Sequence, residues 1–421
     1  MRYAFPVMGR LILVVGLAAL VCGCRATLTP LPPKEARTYQ SILEWTRQNG
    51  MPGAVLLVRT PQTNFVSSVG WADRKHRIAM QPDHAFRVAS TTKMFLGIAA
   101  AQLQIEGRLD TDKIITNYLS ASITDHIRNS DRITVRHLVR HTSGIYDYAG
   151  NPRFQFGACV MHRRGDWTAL RALKYAYDKP AYFPPGEGFR YSNTDFVLLG
   201  LILDRVTGHH HSSEIRDRIL TPLHLDHTYY EFHEPPRGER AHGYEKVAGF
   251  TLDVSDWTSD AAGDAGIIST AADLATFVRA VTGTNSFLNQ ATRKLLKSQP
   301  STSPTDKPWY PVLHYDFGVT AERAGGRDVP VAAAPWFFGH GGATLGYKCI
   351  AAHEPESDIT IVYLGSSMLF RLFDPHRIDR FESRLKEGLF GLAVEQTQAA
   401  RRNSAASAPE NRNSRTNGLS Q

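Results

Sequence analysis

Ser90 and Lys93 stand three residues apart at the head of an apolar run, Met94 to Leu103, that predicts a buried helix ending near Gly107. Residues three apart on a helix share a face, so the lysine nitrogen comes within reach of the serine hydroxyl. A serine at its free pKa is a poor nucleophile and needs a neighbouring group to take its proton. The first turn of a helix also points free backbone N–H groups outward and favours developing negative charge. The pair therefore has the chemistry for activating a serine and stabilising an oxyanion. Read alone, it fits equally an N-cap serine beside a solvated lysine.

Two later clusters bear on that choice, Tyr191-Ser192-Asn193 and His340-Gly341-Gly342. Each has a plain reading of its own. Tyr191 and Asn193 could form a turn before the apolar helix Phe196 to Ile202, with Asn193 or Thr194 as N-cap. His340 between glycines could be a packing or turn histidine, and His141 is read as structural. His209-His210-His211 follows Gly208, a candidate helix C′ residue, and no second ligand group stands out nearby, so no metal is expected. The chain has no H-E-x-x-H and no G-x-S-x-G elbow.

The elements that must position these residues can be read in order. A helix is expected over Thr38 to Gln48, then strands over Ala54 to Val58 and Phe65 to Val69, then the Ser90 helix. From Asp110 to about Gly263 the pattern is helical and irregular with Pro and Gly stops. Ala271 to Val281 reads as an amphipathic helix capped by Thr270. Strand-like runs return at Trp336 to Phe338, Tyr347 to His353 and Ile359 to Leu364, and Pro375 to Leu392 reads as a closing helix. The expected fold is α/β: an antiparallel sheet flanked by helices, with an inserted, mostly helical lobe. The expected division is a leader at 1–23, a tether at 24–37 and one domain at 38–395. Within that domain the α/β lobe takes 38–109 and 264–395, and the helical lobe 110–263. The tail at 396–421, poor in large apolar residues, is expected to be disordered.

The motifs together resemble the serine β-lactamase and penicillin-recognising superfamily, in the branch with class C β-lactamases, D-alanyl-D-alanine carboxypeptidases, D-aminopeptidases and esterases. The resemblance runs from about Tyr39 to about Leu392. It rests on Gly70-Trp71-Ala72-Asp73, Phe86 to Lys93, Ile133 to Ile145 with its His141-Thr142-Ser143-Gly144, Pro184-Pro185-Gly186, Tyr191-Ser192-Asn193 and Gly339-His340-Gly341-Gly342. It implies that Ser90 attacks a carbonyl to form an acyl-enzyme, that Lys93 polarises the proton network, and that Tyr191 serves as general base and acid. A tyrosine with a pKa of about 10 needs a cation beside it for that task, which Lys93 supplies. Asn193 would bind the substrate amide and Lys93. The backbone N–H groups of Ser90 and Ala343 would form the oxyanion hole, each donor worth roughly 3 kcal/mol. Gly341 and Gly342 would let substrate lie against the strand.

Class C β-lactamases carry lysine where this chain has His340. A histidine of pKa near 6.5 is mostly neutral at pH 7. The departure favours peptidase, aminopeptidase or esterase chemistry, and protonation of His340 toward pH 6 is expected to restore part of the missing cation. The implied function is hydrolysis of D-amino-acid peptides, peptidoglycan-derived substrates or small esters without a cofactor. The alternatives are a class C-type β-lactamase and a non-catalytic envelope protein that binds ligand.

Composition agrees with a folded enzyme. The chain has 421 residues, 42% apolar and 21% charged, enough for a large domain. Its net charge of +8 is scattered, which argues against nucleic-acid binding. Arg2 and Arg10 precede an apolar segment, Leu11 to Val21, too short to span a bilayer comfortably. Val21-Cys22-Gly23-Cys24 resembles a bacterial lipobox, which implies cleavage before Cys24, its lipidation and a periplasmic, membrane-anchored monomer. An ordinary signal peptide and an uncleaved anchor are the other readings, and each places the domain outside the cytoplasm. Cys159 and Cys349 remain in the domain, either bonded or as two thiols.

Overall fold

The computed structural model describes residues 28–155, 167–247, 250–257, 262–296, 301–304, 312–323, 334–369 and 377–406. The lipobox with Cys24, and Cys159, lie outside them. Cys349 is a buried free thiol.

Helix α1 (Tyr39–Gln48) begins at Thr38, whose hydroxyl accepts the Ser41 N–H while the Ser41 hydroxyl accepts the Thr38 N–H. That capping box fixes the start, and Ile42, Leu43 and Trp45 turn inward. Strands β1 (Gly53–Arg59), β2 (Asn64–Asp73) and β3 (Ile78–Ala79) follow. Along β1, Val55 and Leu57 face one core while Ala54, Leu56 and Val58 face another. A strand apolar on both sides needs cover on both faces of its sheet. The short β4 (Phe86–Arg87) leads into α2 (Thr92–Ile105). The middle of the chain holds α3 (Asn193–Thr207), β5 (Tyr229–Tyr230), β6 (Tyr244–Val247), β7 (Phe250–Asp253), β8 (Ile267–Ser269) and α4 (Ala271–Thr282). The last third supplies β9 (Ser301–Pro304), β10 (Val312–Asp316), β11 (Val319–Arg323), β12 (Trp336–Thr344), β13 (Tyr347–Glu354), β14 (Ile359–Gly365) and α5 (Arg377–Ala406).

Nine strands form one sheet in the order β3-β2-β1-β14-β13-β12-β11-β10-β9. Each neighbouring pair is antiparallel, and β1 lies between β2 and β14 with Ala54 opposite Gly365. The sheet thus takes strands from both ends of the chain. Helices α1 and α5 pack on one face through Trp45, Phe381, Leu385 and Leu389. Helices α2 and α4 pack on the other, with Phe95 stacked on Phe277 at 3.7 Å between centroids.

The middle region also carries short strands: β5 joins β4 and β8 in a small sheet, and β6 pairs with β7. Two expectations are revised. Residues 301–304 and 312–323 add three strands to the main sheet where the sequence showed no clear run. The chain after Gln396 does not become disordered at that point: α5 continues to Ala406, with the Thr397 hydroxyl bonded to the Ala393 carbonyl and Arg401 reaching the Glu356 carbonyl. Ala, Arg and Gln are strong helix formers, and that propensity outweighs the low apolar content.

Candidate active site

Ser90 sits in a 3-10 turn, Ala89–Thr91, that runs straight into α2. Ala89 has φ +50, a left-handed conformation that costs a residue with a Cβ about 1–3 kcal/mol and is held only by its surroundings. Those surroundings are visible. The Val88 N–H donates to the Ile267 carbonyl at 3.0 Å, and the Ile267 N–H donates to the Thr92 hydroxyl at 3.1 Å. From the other side, β12 closes on the same turn at Gly342. A Cβ on Gly342 would lie 2.1 Å from the Val88 carbonyl oxygen. The space beside Gly342 is therefore filled by protein rather than kept for substrate, and this glycine serves the close seating of the strand. A Cβ on Gly341 would meet only ordinary contacts, Glu382 Oε1 at 3.4 Å and the Cys349 carbonyl at 3.8 Å.

Lys93 is fully buried, which removes the reading of a solvated lysine. Its Nζ donates to Ser90 Oγ at 3.1 Å, Asn193 Oδ1 at 2.8 Å and the Asp264 carbonyl at 2.9 Å. An ammonium has three donors, and all three are committed. The rings of Tyr191 and Phe196 lie 5.0 and 5.8 Å from Nζ and add cation–π attraction. Tyr191 and Asn193 come from the start of α3. Ser192 flanks the helix without capping it, so neither Asn193 nor Thr194 is the N-cap. Thr194 instead donates its hydroxyl proton to the Tyr146 carbonyl.

Since Lys93 donates to Ser90 Oγ, the serine's own proton must leave toward another group. The Tyr191 hydroxyl is buried and takes no hydrogen bond among the described residues. Its oxygen is therefore the neighbouring group left without a partner there, and it makes no hydrogen bond to Ser90 here. Catalytic hydrogen bonds of this kind commonly tighten only around substrate.

Strand β12 forms the opposite wall. Its pairing with β13 continues to Thr344, whereas β11 accompanies it only as far as Gly339. From His340 onward no strand among the described residues pairs with that edge of β12, and Ala343 at its end is exposed. An open strand edge beside a nucleophile can receive an extended, amide-bearing substrate by backbone pairing.

His340 is 7% exposed and packs against Tyr191 and Tyr315 with ring centroids 6.2 and 5.8 Å away. Burial, then the charge of Lys93, pushes its pKa down to about 3. The expected protonation near pH 6 is therefore overturned: desolvation opposes a second cation next to Lys93.

Several functional groups escaped the sequence reading. Asp147 accepts the Asn193 backbone N–H at 3.0 Å and its side-chain amide at 3.3 Å, which fixes the orientation of the Asn193 oxygen toward Lys93. Burial raises the Asp147 pKa. Asp264 presents its carbonyl to Lys93, and its side chain accepts the Tyr148 hydroxyl at 2.7 Å. Asp147 follows the His141-Thr142-Ser143-Gly144 motif closely, the one signal that could have drawn attention to it. Behind Tyr191, His141 Nδ1 lies 3.1 Å from Asp195, and both are fully buried. Burial pushes Asp195 well up and His141 well down. A neutral carboxyl donating to Nδ1 accounts for both directions, and His141 acts as packing for Tyr191, 4.4 Å away.

No described helix is long and apolar enough to cross a membrane. His210 and His211 are joined by Asp204, a group that the sequence spacing did not single out. Two cavities of about 280 and 650 Å³ lie away from Ser90 and contain none of these catalytic groups.

A nine-stranded antiparallel sheet with helices on both faces, carrying a serine bonded to a buried lysine, a tyrosine and asparagine on the next helix and an open strand edge, defines a penicillin-recognising type of serine hydrolase fold. The chain belongs to the beta-lactamase family, which it matches over residues 34–380. It is similar to the D-amino acid amidase of Ochrobactrum anthropi SV3, at 25% identity and a TM-score of 0.68, covering 83% of this chain and 97% of that one. A D-stereospecific amidohydrolase from Streptomyces sp. is 28% identical with a TM-score of 0.66, covering 78% and 93%. Among curated proteins, Protein flp of Staphylococcus aureus is 28% identical over 213 residues, 49% of this chain and 40% of its own length. The putative penicillin-binding protein PbpX of Bacillus subtilis is 28% identical over 222 residues, 51% of this chain and 52% of its own length. The chain thus spans about half or less of these curated relatives.

Proposed function

We propose that the protein is a serine hydrolase that forms an acyl-enzyme on Ser90 and cleaves amide or ester bonds, with D-amino-acid amides or peptides, including peptidoglycan-derived ones, and small esters as its substrates. The observation that carries this is the 3.1 Å contact between Lys93 Nζ and Ser90 Oγ, with the Tyr191 hydroxyl left over as proton acceptor. Substrate lies along the open edge of β12, its carbonyl oxygen directed at the Ser90 and Ala343 N–H groups. Ser90 Oγ bonds to the carbonyl carbon as its proton passes to the Tyr191 oxygen, which acts as a phenolate favoured by the Lys93 cation beside its ring. The leaving amine or alcohol takes that proton as its bond to carbon breaks. Water then attacks the ester by the same relay and returns free Ser90.

The likeness to two D-specific amidohydrolases supports the amide reading. The neutral, buried His340 speaks against efficient β-lactam turnover, since no side chain of β12 there offers a cation to a β-lactam carboxylate. The leader features support lipidation at Cys24 and a periplasmic location. The test is covalent labelling with a fluorophosphonate and a fluorescent penicillin, followed by a turnover panel of D-amino acid amides, D-Ala-D-Ala peptides, p-nitrophenyl acetate and nitrocefin. Ser90→Ala should fold and lose all labelling. An acyl adduct on that variant, seen by intact-mass spectrometry, would assign the chemistry to another residue.

A further inference from the structure

Away from Ser90, the end of α3 and the following turn gather Asp204, His210 and His211, with candidate ligand atoms all within 4.8 Å of one another. Gly208 ends the helix with φ +83 and turns the chain back. The His211 N–H then reaches Asp204 Oδ1 at 2.6 Å, and His211 Nδ1 lies 2.8 Å from the same oxygen. His211 Nε2 is 3.0 Å from the Tyr230 hydroxyl.

Proton counting at Tyr230 shows what sits between His211 and Asp204. The Tyr230 oxygen accepts the Gly263 N–H at 3.1 Å and donates to the Ala265 carbonyl at 2.9 Å. A hydroxyl has one proton, and it is committed to Ala265. His211 Nε2 must therefore carry a proton and donate it. Nδ1 then faces a carboxylate oxygen at hydrogen-bond distance, and two lone pairs cannot oppose each other there. The place requires a cation, either a proton or a metal ion.

His210 adds a further donor atom. Its Nδ1 is taken by Ser212, through the hydroxyl at 2.8 Å and the backbone N–H at 3.2 Å. Among the described residues its Nε2 takes no hydrogen bond, and neither ring nitrogen of His233 does. His233 stacks on His210 with 3.6 Å between centroids and 9° between planes. Asp204 and His210 are partly exposed, so the group has an entry path and room to adjust.

We propose that Asp204, His210 and His211 form a binding site for a divalent transition metal of the zinc type, with water as the fourth ligand. Two imidazoles and one carboxylate are donors suited to Zn²⁺. A tetrahedron with metal–nitrogen bonds of about 2.0 Å has edges of about 3.3 Å, so no separation in the group need close by more than about 1.5 Å on binding. The metal replaces the proton on His211 Nδ1 and leaves Nε2–H on Tyr230. That arrangement, a ligating histidine whose second nitrogen is held by a hydrogen bond, orients the ring for coordination. Tyr230 also touches Gly263 and Ala265, the neighbours of Asp264, so the metal's outer partners end one residue from the carbonyl that holds Lys93.

The experiment uses the untagged full chain, stripped with EDTA and titrated with Zn²⁺ and Co²⁺ by calorimetry and visible absorption. The expected result is one saturable site per chain, a Co²⁺ spectrum of low-coordinate nitrogen and oxygen ligation, and a rise in Tm with micromolar Zn²⁺. His210→Ala and Asp204→Asn should each weaken Zn²⁺ binding at least tenfold, and Tyr230→Phe about tenfold. His126→Ala, at an exposed histidine paired with Asp178, should leave it unchanged. Should a variant fail to fold, protection of His210 from diethylpyrocarbonate by Zn²⁺ in the wild type decides the matter. Absence of saturable binding, binding that survives both His210→Ala and Asp204→Asn, or an unprotected His210 would overturn the proposal.

Discussion

Replacing Gly342 by alanine tests whether the seating of β12 on the Ser90 turn sets the reaction geometry. The added Cβ would lie 2.1 Å from the Val88 carbonyl oxygen and 3.3 Å from Ala89 Cβ. Carbon–oxygen contacts begin at about 3.3 Å, so strand and turn must part by 3.3 − 2.1, about 1.2 Å. The partner is backbone, and it precedes a left-handed Ala89 that has little freedom to adjust. A displacement of about 1 Å at a reacting centre costs roughly 10²-fold in rate. Overpacking of this kind costs about 1–3 kcal/mol of stability. Gly342→Ala should thus remain folded and lose about 100-fold in the second-order rate of fluorophosphonate labelling and in kcat/KM for p-nitrophenyl acetate. Gly391→Ala is the matched control. It lies in α5 with nothing within 4 Å of the new Cβ, so it should gain about 0.8–1 kcal/mol from helix propensity and keep the wild-type rate. Wild-type labelling by Gly342→Ala with an unchanged Tm would refute the reasoning.

Tyr191→Phe should lose roughly 10²–10⁴-fold in kcat with little change in Tm, because it removes only the hydroxyl that moves the proton. Asn193→Ala should instead lower Tm, since it strips a partner from buried Lys93 and from Asp147; equal small rate losses in both variants would show the relay to be misassigned. With His340 held at about 3 by burial and Lys93, the nitrocefin-to-ester ratio of kcat/KM should stay flat from neutral pH to about 5; a rise toward pH 6 would mean that the ring protonates. The same depressed pKa acts on stability: below about 6.5 the unfolded chain takes up a proton that the folded one refuses, so stability falls with pH, by about 2 kcal/mol at pH 5. Denaturant titrations of wild type and His340→Asn at both pH values measure that difference, and parallel curves would rule it out. Cys24→Ala should abolish globomycin-sensitive processing and release the protein from membranes; a wild-type product that starts further downstream would reject the lipobox.

Features that depend on neighbours in sequence were legible. Thr270 caps the helix it was read to cap, the helix expected from Thr38 begins one residue later with Thr38 as its cap, and the strand runs at Ala54 and Ile359 lie within β1 and β14. Ser90, Lys93, Tyr191, Asn193 and His340 do come together. What escaped depends on distance. Asp147 and Asp264 reach Asn193 and Lys93 across long stretches of chain, and no local pattern marks a carboxylate or a backbone carbonyl for that task. The strands at 312–316 and 319–323 were hidden because each is only five residues long and neither, as Val-Leu-His-Tyr-Asp or Val-Thr-Ala-Glu-Arg, keeps a clean apolar–polar alternation. Burial was hidden as well: His340 is written as a histidine with an ordinary pKa, and only its surroundings remove the charge.

The saturated nitrogen of Lys93 has a consequence for biogenesis. Its partners Asn193 and Asp264 lie 100 and 171 positions along the chain, and Ala54 finds Gly365 only when β14 slots in beside β1. Contacts of such separation form slowly and late. A growing chain that has not reached Gly365 has not closed its sheet, and its Ser90 turn lacks the wall that β12 supplies. Order at the nucleophile thus depends on the last strands of the chain.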